Sequence, residues 1–599
     1  QYIQKKIRLN ETYIVFGKPT LFNRKFNIAH PELETVAERQ QKAFVKLQPV
    51  YPSTELLSKK GFNTRLWTQI MTALFKETGL NFKESLPEDV RSDLKLLDKN
   101  QALFNIHFPQ NIDLLHKAQT RLKFEELFYL QLQLLQKNIQ HKQKIKGHIF
   151  EVIGDYFNRF YKDILPFDLT NAQKRVIKEI RADVRSGAQM NRLLQGDVGS
   201  GKTIVAFLSM LMAVDNGYQA ALLAPTEILA QQHYEGLRIF AEELGLQIKL
   251  LTGSTKQKER KEIAEKLLSG ELHFLVGTHA ILEDKVQFKN LGLAIIDEQH
   301  RFGVAQRGKM WRKNTIPPHI LVMTATPIPR TLAMTHYGDL DFSVIDELPP
   351  GRKPVQTIHR YRKDKLKVFE FIKSQLIKGR QAYVVLPLIE ESEMLDYQNL
   401  TDNYEQIKTF FKNTDFKISM VHGQMKPDDK EAEMLRFKNN ETQLMVATTV
   451  IEVGVNVPNA SIMLIESAER FGLSQLHQLR GRVGRGAAQS YCILMTDYKL
   501  SQEARTRIET MTATNDGFKI AEVDLKLRGP GNILGTQQSG IMRFRIADII
   551  KDASLMRTAR QYAFRLLEED FNLEQPQNQN VKFFLQKQMA KTGFWNLIG

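Results

Sequence analysis

The stretch Gly196-Asp-Val-Gly-Ser-Gly-Lys-Thr203 decides the fold of this chain. It matches the phosphate-binding pattern G-x-x-x-x-G-K-T and lies between an apolar run at residues 192–194 and a helical run at residues 204–212. Glycines allow backbone N–H groups to surround phosphate oxygens at a helix N-terminus, where the helix dipole favours negative charge. We therefore predict an ATP-binding loop with the following nucleotide ligands: Gly196, Gly199, Ser200, Gly201, Lys202 and Thr203.

Four side chains in and after this loop have the chemistry that ATP hydrolysis needs. Lys202 would place its charge on the β- and γ-phosphates, and the Thr203 hydroxyl would bind Mg²⁺. Asp297 and Glu298 end an apolar run, where two carboxylates are costly unless they have partners. We predict that Asp297 holds Mg²⁺ through water, and that Glu298 orients and deprotonates the attacking water.

An aromatic ring and an amide precede the first helix of this region. Phe167 would stack on adenine, and Gln173 would read the edge of the base by paired hydrogen bonds. The alternative is a place in the core, where an aromatic residue beside a helix usually lies.

The composition is that of a soluble globular protein with several domains, since 42% of the 599 residues are hydrophobic and 25% are charged. The sequence contains no apolar run of about 18 residues, so no membrane span is predicted. Cys492 is the only cysteine, which excludes an internal disulfide, predicts a buried small hydrophobe and fits a reducing, intracellular location. Lys and Arg exceed Asp and Glu by 84 − 67 = 17, which fits a polyanionic partner and fits a solvated basic surface equally well.

Two series of short apolar runs alternate with helical patterns and predict two consecutive α/β domains with parallel sheets. The first series of strands is predicted at residues 192–194, 220–224, 274–276, 293–296 and 320–323. After a linker at Pro349-Pro350-Gly351, the second is predicted at residues 382–386, 418–421, 444–447, 462–465 and 491–495. We place the first lobe at residues 166–350 and the second at residues 351–500.

Three further regions flank the two lobes. Residues 1–33 contain short strand patterns at 13–16 and 25–28, and because the chain begins without Met we expect an upstream segment. Residues 34–165 are predicted to be helical and include the basic stretch 138–147, which is either a nucleic-acid contact or a solvated helix end. Residues 501–599 contain a glycine-dense loop at 528–540 and helical patterns around 541–567.

Three arginines follow Gln478 at the end of the second series: Arg480, Arg482 and Arg485. Glycines separate them, so a place in a core is difficult to envisage and a basic surface patch is the simpler alternative. From the second lobe, Arg482 and Arg485 could reach the γ-phosphate as arginine fingers. Hydrolysis would then depend on closure of the cleft between the lobes.

These motifs, with Ala224-Pro-Thr-Glu227, Gly277-Thr-His279, Thr324-Ala-Thr326 and Val446-Ala-Thr-Thr449, resemble the superfamily-two helicases in kind and order. The resemblance implies two tandem RecA-like lobes that use ATP and Mg²⁺, with Gln478 at the nucleotide. It also implies contacts with nucleic-acid phosphates or coupling to the ATP site at Pro225, Thr226, Gly277, Thr278, Thr324, Thr326 and Thr448.

Further segments resemble the RecG branch of this superfamily: DEQHRFGVAQR at 297–307, TATPIPR at 324–330 and DLKLRGPGNILGTQQSG at 524–540. The last resembles a motif that links lobe movement to pulling on duplex DNA, with Arg528 as its phosphate-gripping cation. Asn532-Ile533 and Gln537 depart from the family pattern, so the roles at those positions are open. Segments at 26–34, 50–54, 106–109 and 121–127 resemble the passage from an oligonucleotide-binding (OB) wedge domain to the motor.

This resemblance implies an ATP-dependent translocase on double-stranded DNA that remodels stalled replication forks and Holliday junctions in recombination and repair. It further implies a monomer in the bacterial cytoplasm with a single-stranded DNA-binding protein as a partner. Two alternatives are a coupling-factor-like translocase that displaces RNA polymerase and an RNA-binding ATP-gated clamp. The first needs a polymerase-binding module that residues 34–165 do not resemble, and the second usually has Asp-Glu-Ala-Asp where this chain has Asp297-Glu298-Gln299-His300.

Overall fold

The structure is a computed structural model of the chain. It describes residues 7–17, 19–22, 25–28, 31–36, 47, 49–51, 54, 56–57, 60–62, 64–79, 81–298, 310, 313, 316–326, 329, 340–349, 353–387, 393–448, 457–486, 488–528 and 544–591. The chain divides into two compact units. The first comprises Gln1–Leu132, Met542–Asp548 and Asp552–Gly599, and the second comprises Gln133–Ile541 and Ile549–Lys551.

The described strands form four sheets. In chain order they are β1 (Tyr13–Phe16), β2 (Pro19–Phe22), β3 (Lys25–Ile28), β4 (Glu32–Thr35), β5 (Asn191–Gly196), β6 (Gln219–Leu223), β7 (Ile248–Leu251), β8 (Phe274–Gly277), β9 (Leu291–Asp297), β10 (His319–Thr324), β11 (Asp341–Ile345), β12 (Gln356–Tyr361), β13 (Gln381–Val385), β14 (Ile418–Val421), β15 (Leu444–Ala447), β16 (Ala460–Ile465) and β17 (Tyr491–Thr496).

The described α-helices surround these sheets and connect them. In chain order they are α1 (Thr64–Thr78), α2 (Glu88–Asp93), α3 (Lys99–His107), α4 (Ile112–Lys144), α5 (Asp155–Arg159), α6 (Asn171–Arg185), α7 (Lys202–Asp215), α8 (Glu227–Glu243), α9 (Gln257–Ser269), α10 (Lys365–Ile377), α11 (Glu393–Phe411), α12 (Pro427–Lys438), α13 (Leu473–Arg480), α14 (Gln502–Ala513), α15 (Gly517–Arg528), α16 (Ala553–Glu569) and α17 (Gln579–Lys591).

The second unit contains two parallel sheets, as the alternating apolar runs predicted. The first sheet has seven strands in the order β11-β5-β10-β9-β6-β8-β7, and the second has six in the order β12-β17-β16-β13-β15-β14. Every strand pair in both sheets is parallel. The two predicted α/β lobes are therefore confirmed, and the predicted strands match observed strands to within two residues at each end.

Both faces of each sheet are buried, which explains why their strands are apolar throughout. In the first lobe, Leu194 and Ile295 belong to one core cluster while their neighbours Leu193 and Ile296 belong to the other. The second lobe shows the same division between its two clusters. Cys492 is fully buried in one of them, as predicted, and burial raises the pKa of its thiol to about 12.

The first unit contains two small antiparallel sheets and a helical cluster. Strand β1 pairs with β4, and β2 pairs with β3. The strands at 13–16 and 25–28 are thus confirmed, whereas an OB-type wedge stays a prediction. The helical cluster joins residues far apart in sequence, because Arg565 of α16 pairs with Asp89 of α2 at 2.8 Å and Lys99 of α3 lies over the Phe584 ring of α17. Among the described residues, no helix is long and apolar enough to cross a bilayer.

The helical cluster is organised around Arg121 of α4, whose side chain is fully buried. Its guanidinium donates to Glu84 at 2.5 Å and to Glu125 at 2.7 Å. Glu84 also accepts from the backbone amides of Ser85 and Leu86. Glu125 also pairs with Lys99 at 3.0 Å, so removal of Arg121 would chiefly deprive Glu84 of its nearest cation.

We expect Arg121→Leu to lower the free energy of unfolding of the first unit by about 3 kcal/mol. The reason is that breaking a buried ion pair leaves an uncompensated charge in the folded state. Lys117→Leu is the matched control, since Lys117 forms an exposed pair with Asp113 on the same helix and should change stability by less than about 0.5 kcal/mol. Denaturant unfolding of the two variants provides the measurement. Equal effects would contradict a special role for Arg121.

Candidate ATP site between the two lobes

The predicted phosphate-binding loop connects β5 to α7, with Gly196 as the last residue of the strand and Lys202 as the first of the helix. Gly199 and Gly201 have φ values of 76° and 85°, in the left-handed region that favours glycine. A Cβ on Gly201 would also lie 2.2 Å from Nε2 of Gln173. The loop therefore depends on glycine for its conformation and for its packing.

Lys202 is buried at the centre of this loop, where its ammonium group donates to the carbonyl oxygens of Gly196 at 2.7 Å and Asp197 at 2.9 Å. Burial lowers the pKa of Lys202, while the nearby charges of Glu298 and Asp297 oppose that shift. The arrangement keeps a cation next to the N-terminus of α7. The ammonium group of Lys202 and the N-terminus of α7 both attract phosphate oxygens.

Asp297 is the last residue of β9 and Glu298 follows it, so both carboxyl groups lie at the end of a buried strand, as predicted. Oδ2 of Asp297 lies 2.8 Å from Nε2 of His233, a buried residue of α8 that orients the carboxylate. His233 was not predicted from the sequence, because no spacing rule connects it to Asp297, which lies 64 positions away.

Glu298 has the properties of a general base. Burial and the neighbouring charge of Asp297 raise the pKa of Glu298 to about 7, against the opposing charges of Lys202 and Arg482. A carboxyl group with a pKa near neutrality can take a proton from water efficiently. The residue also has a φ of 52°, a strained conformation of the kind that concentrates at functional sites.

Gln173 supports the loop instead of presenting a free amide to a base. Its Nε2 donates to the carbonyl of Ser200 at 2.9 Å, and its Oε1 accepts from the amide of Thr170 at 2.9 Å in a capping box at the start of α6. The side chain is buried, so an adenine contact would require these bonds to exchange. Phe167 is 44% exposed, and its stacking on adenine stays a prediction.

The arginine motif begins at the end of α13, and its three arginines differ in role. Arg480 is buried and donates to the carbonyls of Met511 at 3.0 Å and Thr514 at 2.8 Å, so it is a structural residue of the second lobe. Arg482 and Arg485 are partly exposed. The charge of Arg482 acts on Glu298, and the charge of Arg485 acts on Lys202.

The first lobe meets the second at this motif. A Cβ on Gly481 would lie 2.8 Å from Cβ of Val198 in the phosphate-binding loop, so the two backbones approach closely. Gln478, predicted at the nucleotide, donates to Oγ1 of Thr326 at 2.9 Å. Oγ1 of Thr324 accepts from the amide of Thr326, which places the predicted coupling residues between β10 and α13.

The other predicted nucleic-acid contacts occupy varied environments. Thr226 caps α8 by accepting from the amide of Leu229 at 3.3 Å, and Pro225 precedes it on a half-buried turn. A Cβ on Gly277 would lie 1.9 Å from the carbonyl oxygen of Leu251, so this glycine is required by strand packing. Thr278 and Thr448 are buried, and their hydroxyls have no hydrogen-bond partner among the described residues.

Several predicted features lie outside the described residues. They are Gln299, His300, Asn532, Gln537 and the glycine-dense loop from residue 529 onward. Arg528 is the last residue of α15, and the structure describes its backbone but not its side chain.

Three protein families match successive parts of the chain. The DEAD/DEAH box helicase family matches residues 170–335, and the helicase conserved C-terminal domain matches residues 367–487. The third, described as ATP-dependent DNA helicase RecG, domain 3, C-terminal, matches residues 514–598.

Individual relatives extend the similarity over most of the chain. The ATP-dependent DNA helicase RecG of Synechocystis sp. is 48% identical over 90% of this chain and 63% of its own length. The RecG of Bacillus subtilis is 44% identical over 96% of this chain and 82% of its own length. A solved structure of RecG bound to a three-way DNA junction has a TM-score of 0.65 at 39% identity, covering 90% of this chain and 70% of that one.

We expect Arg482→Ala and Arg485→Ala each to lower kcat for ATP hydrolysis by about 10³-fold, because arginine fingers act on the transition state. The KM for ATP should change little in comparison. Arg470→Ala, which removes an exposed arginine of the same lobe, is the control and should retain wild-type turnover. Steady-state ATPase assays measure all three, and wild-type rates for both motif variants would contradict the assignment.

Proposed function

The chain belongs to the RecG family of ATP-dependent DNA helicases, and we propose that it couples ATP hydrolysis between its two α/β lobes to movement along double-stranded DNA. The movement unwinds and remodels branched DNA at stalled replication forks and Holliday junctions, in recombination and repair. One observation carries the proposal. The arginine motif of the second lobe packs on the phosphate-binding loop of the first, since a Cβ on Gly481 would lie 2.8 Å from Cβ of Val198 and Gln478 donates to Thr326 at 2.9 Å.

This arrangement explains why hydrolysis and movement are coupled. The nucleotide ligands belong to one lobe and the arginines belong to the other, so a complete site exists only when the lobes are together. The contact of Gln478 with Thr326 lies beside the site and transmits the same closure to β10. Departure of phosphate removes the anion that attracts the arginines, and the lobes can separate.

Mg²⁺ would be held by Thr203 and Asp297. A hydroxyl and a carboxylate are oxygen donors of the type that Mg²⁺ prefers, and this ion usually takes its remaining ligands from water and substrate phosphates. The described residues contain no group of three or more His, Cys, Asp or Glu side chains arranged for a metal, so the ion would enter with ATP. When bound, it neutralises charge that develops on the phosphates.

DNA contacts would follow the ends of the strands on the same side of the sheets. Thr278 and Thr448 support this, because buried hydroxyls without partners are costly and a phosphate oxygen would satisfy them. Pro225 and Thr226 lie between β6 and α8, Gly277 ends β8 directly before Thr278, and Thr324 and Thr326 would relay contact to the ATP site. Arg528 would grip the duplex at the loop after α15. Such phosphate contacts carry no sequence preference, which suits a motor.

Family membership supports our proposals for the wedge domain, the oligomeric state, the location and the protein partner. The two small sheets of the first unit would form part of an OB-type wedge that separates the arms of a fork. The protein acts as a monomer in the bacterial cytoplasm, with a single-stranded DNA-binding protein as a partner. A coupling-factor role and an RNA clamp lose their support, since similarity to a RecG extends over 96% of the chain.

Lys202→Ala should abolish ATP hydrolysis and leave DNA affinity largely intact, because Lys202 contacts phosphate and DNA contacts lie elsewhere. Lys178→Ala, at an exposed lysine of α6, is the matched control and should behave as wild type. ATPase assays and gel shifts with a fork provide the two measurements. Turnover retained by Lys202→Ala would overturn the site assignment.

Branched DNA should stimulate ATP hydrolysis far more than single-stranded RNA does, with linear duplex in between. The reason is that a fork offers both a duplex to grip and arms to separate. The assay compares ATPase rates at equal nucleotide concentration and fixed salt, since phosphate-based binding weakens steeply with salt. Equal stimulation by single-stranded RNA would contradict the proposal.

A further inference from the structure

The carboxylate of Asp197, inside the phosphate-binding loop, bonds to two elements beyond the first lobe. Its Oδ1 lies 2.6 Å from Nε2 of His477 on α13. Its Oδ2 accepts from the backbone amide of Gly517, the first residue of α15, at 3.3 Å. A single side chain of the phosphate-binding loop is thus bonded both to α13 of the second lobe and to the start of α15 in the C-terminal region.

The imidazole of His477 is fixed in its orientation. Nδ1 of His477 accepts from Nη2 of Arg480 at 2.9 Å, which leaves the hydrogen on Nε2 to be donated to Asp197. Arg480 is itself held by the carbonyls of Met511 and Thr514. The ring cannot turn away from Asp197 without breaking this buried network.

The second route runs along α15 towards the glycine-dense loop. Oδ1 of Asp516 accepts from the amides of Phe518 and Lys519 at the start of the helix, so the amide of Gly517 is left to point at Asp197. Further along, Asp524 accepts from the hydroxyl of Ser474 on α13 at 2.8 Å. Helices α13 and α15 are therefore bonded to each other as well as to Asp197.

The electrostatic state of Asp197 suits this role. Burial works to raise the pKa of Asp197, but hydrogen bonds from His477 and the amide of Val198, together with the charge of Lys202, hold the pKa below its usual value. The group is an anion at neutral pH. Hydrogen bonds to an ionised acceptor are about twice as strong as neutral ones.

We infer that Asp197 and His477 form a positioning pair that docks α13 and α15 onto the phosphate-binding loop. The pair sets the place of Arg482 and Arg485 at the ATP site, and through the amide of Gly517 it makes α15 follow the state of that loop. This inference rests on the proposed function and adds a direct connection between the nucleotide site and the helix that leads to the duplex-gripping loop.

The central test compares His477→Leu with His477→Gln. Nε2 of glutamine lies at a similar distance from the backbone as Nε2 of histidine, so the glutamine variant can still donate to Asp197. With branched DNA present, His477→Leu should lower kcat about tenfold, the loss expected for one charge-assisted hydrogen bond. Its KM for ATP should stay within about twofold, and His477→Gln should recover most of the rate.

A double-mutant cycle separates a specific pair from a general loss of structure. Asp197→Ala, His477→Leu and the double variant are measured in the same ATPase assay, with thermal unfolding of each as a check on folding. If the two residues act as a pair, the double variant should be no slower than the slower single variant. Additive losses, or equal losses in His477→Leu and His477→Gln, would overturn the inference.

Gly517→Pro tests the second route. Proline is tolerated at the first residue of a helix and has no N–H, so this change removes the donor to Asp197. Fork unwinding per ATP hydrolysed should fall severalfold, while ATP turnover falls less. Unchanged coupling would contradict the role of α15. Wild-type behaviour of these variants beside an inactive Lys202→Ala would refute the inference alone, whereas an active Lys202→Ala would refute the proposed function.

Discussion

The burial of a cation at the carboxyl end of β5 is the constraint on which the rest of the structure depends. Lys202 is desolvated, and its charge is tolerated because two carbonyls and the carboxylates of Asp297 and Glu298 surround it. The sheet order makes this possible, since β10 lies between β5 and β9 and the parallel register brings Thr324 opposite Gln195 and Met323 opposite Asp297. Loop, carboxylates and coupling threonines thus emerge at one edge of the sheet, where an open α/β fold presents its ligand site.

A site of this kind is incomplete within one lobe. Its carboxylates compensate the lysine in the protein alone, but the phosphates of ATP would add further negative charge, and more cations are then needed. We propose that the second lobe supplies these cations through Arg482 and Arg485, which belong to the motif that packs on the phosphate-binding loop. The phosphates would bind to the first lobe, whereas these arginines belong to the second lobe. The negative charge at the site is therefore compensated only when the two lobes are close together. That dependence is the physical basis for converting hydrolysis into movement.

The sequence was sufficient to predict the two parallel sheets, because these depend on local patterns, whereas the roles of the predicted site residues stay predictions. In the two parallel sheets it missed β7, β11 and β12, which contain partly buried residues at the sheet edges and so lack a continuous apolar run. It also missed His233 and His477, each of which acts through a carboxylate that is distant in sequence. The expectation that Arg480 lies outside the core was wrong, because this arginine is buried and donates to backbone carbonyls. Gln173 is also buried and donates to a backbone carbonyl, and its adenine contact stays a prediction.

The arginine motif shows how one short segment serves docking and chemistry together. Gly481 is required because a side chain there would strike Val198 of the phosphate-binding loop, and Gly484 is required by its φ of 80°. Between and after these glycines, Arg482 and Arg485 are carried to the site by a backbone that already touches the other lobe. Arg480, which directly precedes Gly481, instead fixes His477 against Asp197. The glycines of the motif therefore allow its backbone to approach the phosphate-binding loop closely. The arginines between and after them lie next to the ATP site because of that approach.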